Sequence, residues 1–127
     1  MQKLFLIFIA SGAGGVLRYA IGGVCQRVAG GAFPLGTLVV NVAGCLLIGF
    51  LMPALAGRFL LREEYRIALF VGALGGFTTF STFGVETFAL LNDGQTWRAG
   101  LNVLASVALG LAAVWFGYRL AESWLGV

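Results

Sequence analysis

Four apolar runs, near residues 4–25, 35–56, 66–91 and 99–121, divide this chain, and each is long enough to cross a bilayer. A helical crossing needs about 20 apolar residues, because each residue advances the helix by about 1.5 Å through a hydrocarbon core about 30 Å thick. With 60% of residues hydrophobic and 10% charged, a soluble domain of 127 residues could not cover its apolar surface. The chain therefore reads as all-α: one polytopic membrane domain over residues 1–127, with four transmembrane helices and no soluble domain or low-complexity tail. Met1-Gln2-Lys3 before the first run imitates a signal peptide, but the run continues through Gly12, Gly15 and Tyr19 without a clear cleavage site.

The few charges exclude several functions. The net charge is +3, and the basic residues sit mostly in short clusters between apolar runs, which sets topology rather than a nucleic-acid footprint. Histidine is absent, no nucleophile and base are paired, and Glu86 is the one acid within a span, so the pattern is not that of an enzyme. Cys25 and Cys45 lack CxxC spacing and read as small hydrophobes.

Polar and small residues fall on stripes. In the first span Ser11, Gly15, Arg18 and Gly22 share a helical face. Arg18 is either an interfacial anchor or part of an anion-attracting vestibule, since a buried arginine costs about 3 kcal/mol on insertion scales. Gly30-Gly31-Ala32-Phe33-Pro34 is a turn, and Pro34 suits the first position of the next helix. In the second span Thr37, Asn41 and Gly44 share a face, with Asn41 either binding helices together or lining a polar path. Arg58, Arg62, Glu63, Glu64 and Arg66 form a short charged loop before the third span. Asn92-Asp93-Gly94-Gln95 is a turn, Trp97 and Arg98 mark an interface, and Asn102, Ser106 and Gly110 form a third stripe.

The third span carries the most unusual stretch, Gly72 to Glu86, where glycines, hydroxyls and aromatics interrupt what should be continuous helix. Gly72 and Gly76 make a GxxxG that permits close helix approach, and Gly75-Gly76 beside Thr78-Thr79 invites a break near Gly75 to Thr79. Broken backbone at membrane depth persists only when buried in protein or facing a polar cavity, where freed carbonyls can bind a cation. Phe80 and Phe83 share one face, and Thr79, Thr82 and Glu86 a neighbouring one. The two rings serve either packing or anion attraction by their electropositive edges. A polar track through lipid, and hence a pore, fits this inventory better than catalysis.

Gly75-Gly76-Phe77-Thr78-Thr79-Phe80-Ser81-Thr82-Phe83 closely resembles the Fluc (CrcB) fluoride channels of bacteria. So do Asn41 within residues 36–44 and the early Gly15-Val16-Leu17-Arg18-Tyr19. The resemblance spans essentially the whole chain. It implies a fluoride-selective channel in the bacterial inner membrane, built as an antiparallel, dual-topology homodimer with two pores and passively exporting fluoride that entered as the neutral acid. By the same resemblance, Phe80 and Phe83 line the pore beside Asn41, Ser81 and Thr82 belong to a hydroxyl-lined path with Glu86 further along, and Ser106 contributes from the fourth span. Arg18 sits in the vestibule, and the backbone carbonyls of Gly75 and Thr78 hold a structural sodium ion at the dimer interface.

Loop charge bears on the implied assembly. Lys3, Arg58, Arg62, Arg66 and Arg119 lie toward one side, and Arg18, Arg27 and Arg98 toward the other. Five against three is a weak bias, compatible with insertion in both orientations. Two rivals share the gross features. A proton-coupled small multidrug-type exporter needs a central acid in its first span, which this chain lacks; a noncatalytic membrane assembly subunit would use every stripe as glue.

Overall fold

A computed structural model of the chain describes residues 1–57 and 61–126 and is helical almost throughout, with no strand among those residues. The helices are α1 (Gln2–Ala29), α2 (Leu35–Gly57), α3 (Glu63–Ile67), a π-helical segment (Ala68–Leu74), α4 (Gly75–Phe77), α5 (Phe80–Asn92) and α6 (Thr96–Leu125). Grouped by direction they make four candidate membrane spans, Gln2–Ala29, Leu35–Ala56, Glu63–Asn92 and Thr96–Leu125. Hydrogen bonding within each helix keeps the backbone satisfied where water is absent. Few side chains in these spans are buried within the chain, and large apolar residues such as Phe8, Val16, Phe88, Leu104 and Trp115 face outward.

The connections explain how the spans are placed. Gly30 ends α1 in a left-handed conformation, φ 62°, with its N–H donated to Gln26 O. Gln26 then clamps the turn: its Nε2 donates to the carbonyls of Gly31 (2.9 Å) and Phe33 (3.0 Å), and its Oε1 accepts from the Gly36 N–H (3.0 Å). Pro34 lies just before α2 rather than inside it, and its carbonyl accepts from the Leu38 N–H. The turn between α5 and α6 is made by Asp93 and Gly94, where Gly94 takes φ 71°.

Of the charged cluster before the third span, Arg58 lies outside the described residues. Glu63, Glu64 and Arg66 are helical, not loop, because two acids in the first turn complement the helix dipole. Lys3 Nζ pairs with Glu63 Oε1 at 3.2 Å, which sets the start of α1 beside the start of α3 at one end of the bundle.

Packing is closest where side chains vanish. A Cβ on Gly72 would fall against Ala10 and the Ile7 backbone, and one on Gly76 would strike the Ser11 carbonyl, so this GxxxG seats the third span against α1. Gly117 performs the same service for α6 against the Leu46 carbonyl of α2. The π-helical segment between α3 and α4 was not legible as a pattern. Its signature is the Gly75 N–H reaching back to Phe70 O.

Candidate functional site

The break in the third span occupies Thr78 and Thr79, while Gly75 and Gly76 remain helical. Both threonines are extended, with ψ 158° and 115° respectively. Side chains hold this opening in place. Asn41 of α2 donates from Nδ2 to Thr79 O (3.0 Å) and accepts the Thr79 N–H on Oδ1 (2.8 Å), so one amide satisfies both backbone groups of Thr79. Thr79 is also the N-cap of α5, its Oγ1 accepting the Thr82 N–H at 3.2 Å. Thr78 turns its hydroxyl back to Leu74 O at 3.0 Å.

These contacts change the carbonyls below them. In an unbroken helix the Thr79 N–H would bond Gly75 O and the Thr82 N–H would bond Thr78 O. Here the first goes to Asn41 and the second to Thr79 Oγ1. The carbonyls of Gly75 and Thr78 are thereby released from their helical donors, and they are hard oxygen ligands of the kind an alkali cation takes.

Two open clefts meet at Thr79, which is buried and lines both. The first, about 450 Å³, is bounded by Arg18, Tyr19 and Gln26 of α1, Thr37 of α2, and Thr82 and Glu86 of α5. Thr37 donates its hydroxyl to Glu86 Oε1 at 2.8 Å. The other carboxylate oxygen, Oε2, is buried and has no hydrogen-bond partner among the described residues. The second cleft, about 440 Å³, is lined by Asn41, Gly75, Thr78, Phe80, Phe83 and Ser106, together with apolar neighbours. No charged side chain lines it among the described residues.

Within the second cleft the Phe80 and Phe83 rings stand with centroids 5.4 Å apart and planes tilted by 41°. That geometry is neither a sandwich nor a right angle, so ring edges as well as faces are presented. Phe80 is 83% exposed on the single chain, an arrangement that only lipid or another protein surface would cover.

The residues singled out in the sequence are therefore brought together in two groups rather than one. Asn41, Phe80, Phe83 and Ser106 share the second cleft with Gly75 and Thr78, whereas Arg18, Thr82 and Glu86 share the first. Ser81 is exposed, with its hydroxyl 3.3 Å from Thr79 Oγ1. Sequence reasoning did not single out Thr79 as the partition, nor Gln26. A threonine immediately before a helical run is an N-cap signal that could have identified Thr79; for Gln26 there is no local signal, since its three contacts depend on the fold of the turn.

Comparison with known proteins follows the same lines. The family model described as "CrcB-like protein, Camphor Resistance (CrcB)" matches residues 5–118. A protein of Geobacter sulfurreducens named fluoride-specific ion channel FluC is 50% identical over 122 residues, covering 96% of this chain and 98% of the relative. Proteins of the same name from Solibacter usitatus and Coxiella burnetii are 48% and 46% identical, each over 95% of this chain, covering 99% and 98% of the relatives.

Proposed function

The chain belongs to the CrcB-like family, and from that premise we propose that it is a fluoride-specific ion channel working as an antiparallel homodimer with two pores. It is a multi-pass membrane protein and not an enzyme; the bacterial inner membrane is the proposed site of action. The observation that carries the reading is the tilted Phe80 and Phe83 pair, set beside Asn41 in a cleft without fixed charge.

Fluoride is small and strongly hydrated, so a path must replace its water without trapping it. Ring edges attract an anion through the aromatic quadrupole, and hydroxyl or amide hydrogens add directed contacts. Asn41 Nδ2 carries two hydrogens, of which one is committed to Thr79 O, leaving the other for an ion in the cleft. Ser106 supplies a hydroxyl from α6. Arg18, in the first cleft, raises the local anion concentration, and Thr82 and Glu86 continue the polar lining with Ser81 nearby. Flow is passive: fluoride enters as its neutral acid from an acidic medium, ionises in the less acidic cytoplasm, and leaves down its own gradient.

A structural sodium ion at the dimer interface completes the proposal. The released carbonyls of Gly75 and Thr78 suit it, and an ion there supplies positive charge that replaces the missing helical donors.

Reconstituted liposomes test the reading. Fluoride efflux recorded with an ion-selective electrode is expected without any proton gradient, with no matching chloride efflux. Phe80→Ile is expected to slow it by at least about tenfold, equivalent to about 1.4 kcal/mol in the barrier. Strict dependence on a proton gradient would favour a coupled exporter, and efflux no faster than from empty liposomes would favour a noncatalytic subunit.

A further inference from the structure

Asn102 is a stripe residue that the pathway does not use: it lies 2% exposed in α6, lines neither cleft, and carries a full amide at membrane depth. Its Nδ2 donates to Thr87 Oγ1 of α5 at 2.9 Å, and the Thr87 hydroxyl donates in turn to Phe83 O at 2.7 Å. The relay therefore ends on the backbone of a cleft aromatic. Phe83 and Thr87 are one turn apart on α5, and Asn102 and Ser106 are one turn apart on α6. The two helices run antiparallel from the turn at Asp93 and Gly94, so the Asn102 and Thr87 pair lies one turn nearer that turn than Phe83 and Ser106.

We propose that Asn102 and Thr87 form a positioning rung that fixes the register of α5 against α6 and so holds the Phe83 ring with Ser106 in the second cleft. The inference rests on the channel reading of that cleft. An amide excluded from water must find a partner, and it finds this one at a single register. A slip of one residue rotates a helix face by about 100°, which would take Thr87 away from Asn102 and Phe83 away from Ser106 together. Elsewhere α5 is tied to α2, through Thr79 and Glu86; the rung ties it to α6. Neither rung residue touches the ion, and both act through Phe83.

The test uses the full chain in liposomes and a hydroxyl series at Thr87. Thr87→Val keeps the shape and removes the hydroxyl, and Thr87→Ser keeps the hydroxyl. Thr87→Val and Asn102→Ala are each expected to slow fluoride efflux by at least about tenfold with assembly intact by size exclusion, and Thr87→Ser to stay within about twofold of the parent. The double variant is expected within about twofold of the slower single one, since both remove the same contact. Should Thr87→Val fail to purify folded, Thr87→Ala against Thr87→Ser gives the same contrast. Efflux at the parent rate in Thr87→Val, or equal losses in Thr87→Val and Thr87→Ser, would overturn the rung, whereas absent efflux in the parent would sink the channel reading instead. A second readout is independent of conduction. On a Cys25→Ala, Cys45→Ala background, thiol labelling of Ser106→Cys is expected to change at least about threefold when Asn102→Ala is added, and an unchanged rate would overturn the proposal.

Discussion

Asn41 shows how much one side chain can decide at membrane depth. Hydrogen bonds between membrane helices average only about 0.6 kcal/mol, because the unfolded reference also finds partners. The two bonds from Asn41 differ in kind, since they satisfy the N–H and C=O of a residue that has left its helix and has no water to turn to. Asn41→Leu is therefore expected to cost about 2–4 kcal/mol, read by denaturant titration in detergent, and to abolish fluoride efflux. Asn41→Asp separates the two jobs. It keeps an acceptor for the Thr79 N–H but sets a carboxylate against Thr79 O and the cleft, so efflux is expected to fall even where the fold persists. A stable, fully conducting Asn41→Leu protein would show that neither job belongs to this residue.

The third span is an element assembled from helix, π-helical segment, extended pair and helix again, and the glycines on its α1 face make it fit. Gly76→Ala would place a methyl group against the Ser11 carbonyl, so a loss of about 1–3 kcal/mol is expected. Gly12→Ala, on a helix face with nothing within 4 Å, is expected to be neutral or to gain up to about 1 kcal/mol from better helix propensity. Thermal unfolding in detergent compares the two, and equal effects would mean that the GxxxG face bears no packing load. Much of this element was readable beforehand: the spacing of Gly72 and Gly76 implied close approach, and the Gly-Thr run implied a break. The partners on α1 were not readable, because contact between distant residues leaves no trace in local spacing. The break lies within the stretch expected for it, Gly75 to Thr79, at that stretch's C-terminal end. It falls at Thr78 and Thr79, where Asn41 and the α5 cap supply replacement bonds, and glycine alone supplies none. Likewise face periodicity gave only separate stripes on each helix; the grouping of Asn41, Phe80, Phe83 and Ser106 was implied by the family resemblance, and the division into two clefts at Thr79 needed the third dimension.

For the whole molecule, the open clefts and the weak charge bias bear on the same proposal. Four spans return both termini to one side, and the Lys3 to Glu63 pair sets that end of the bundle. By sequence order alone, five basic residues fall on the side of the termini against three on the other, which leaves insertion nearly undecided, as a dual-topology chain requires. A two-fold axis in the membrane plane would then bring the exposed Phe80 face of one copy against an oppositely inserted copy. Charge changes away from the clefts test this. Arg27→Ala with Arg98→Ala leaves five against one, which is expected to bias insertion to one orientation, read by a terminal topology reporter. Lys3→Ala, Arg62→Ala, Arg66→Ala and Arg119→Ala together leave one against three, biasing insertion the other way. Each set alone is expected to lose most fluoride efflux from cells, and co-expression of the two is expected to restore it. The rescue separates orientation from damage, because two chains that were merely misfolded would not repair each other. If a set confined to one orientation conducts as well as the parent, the working unit is not an antiparallel pair, and the cover over Phe80 must come from lipid or from a parallel neighbour.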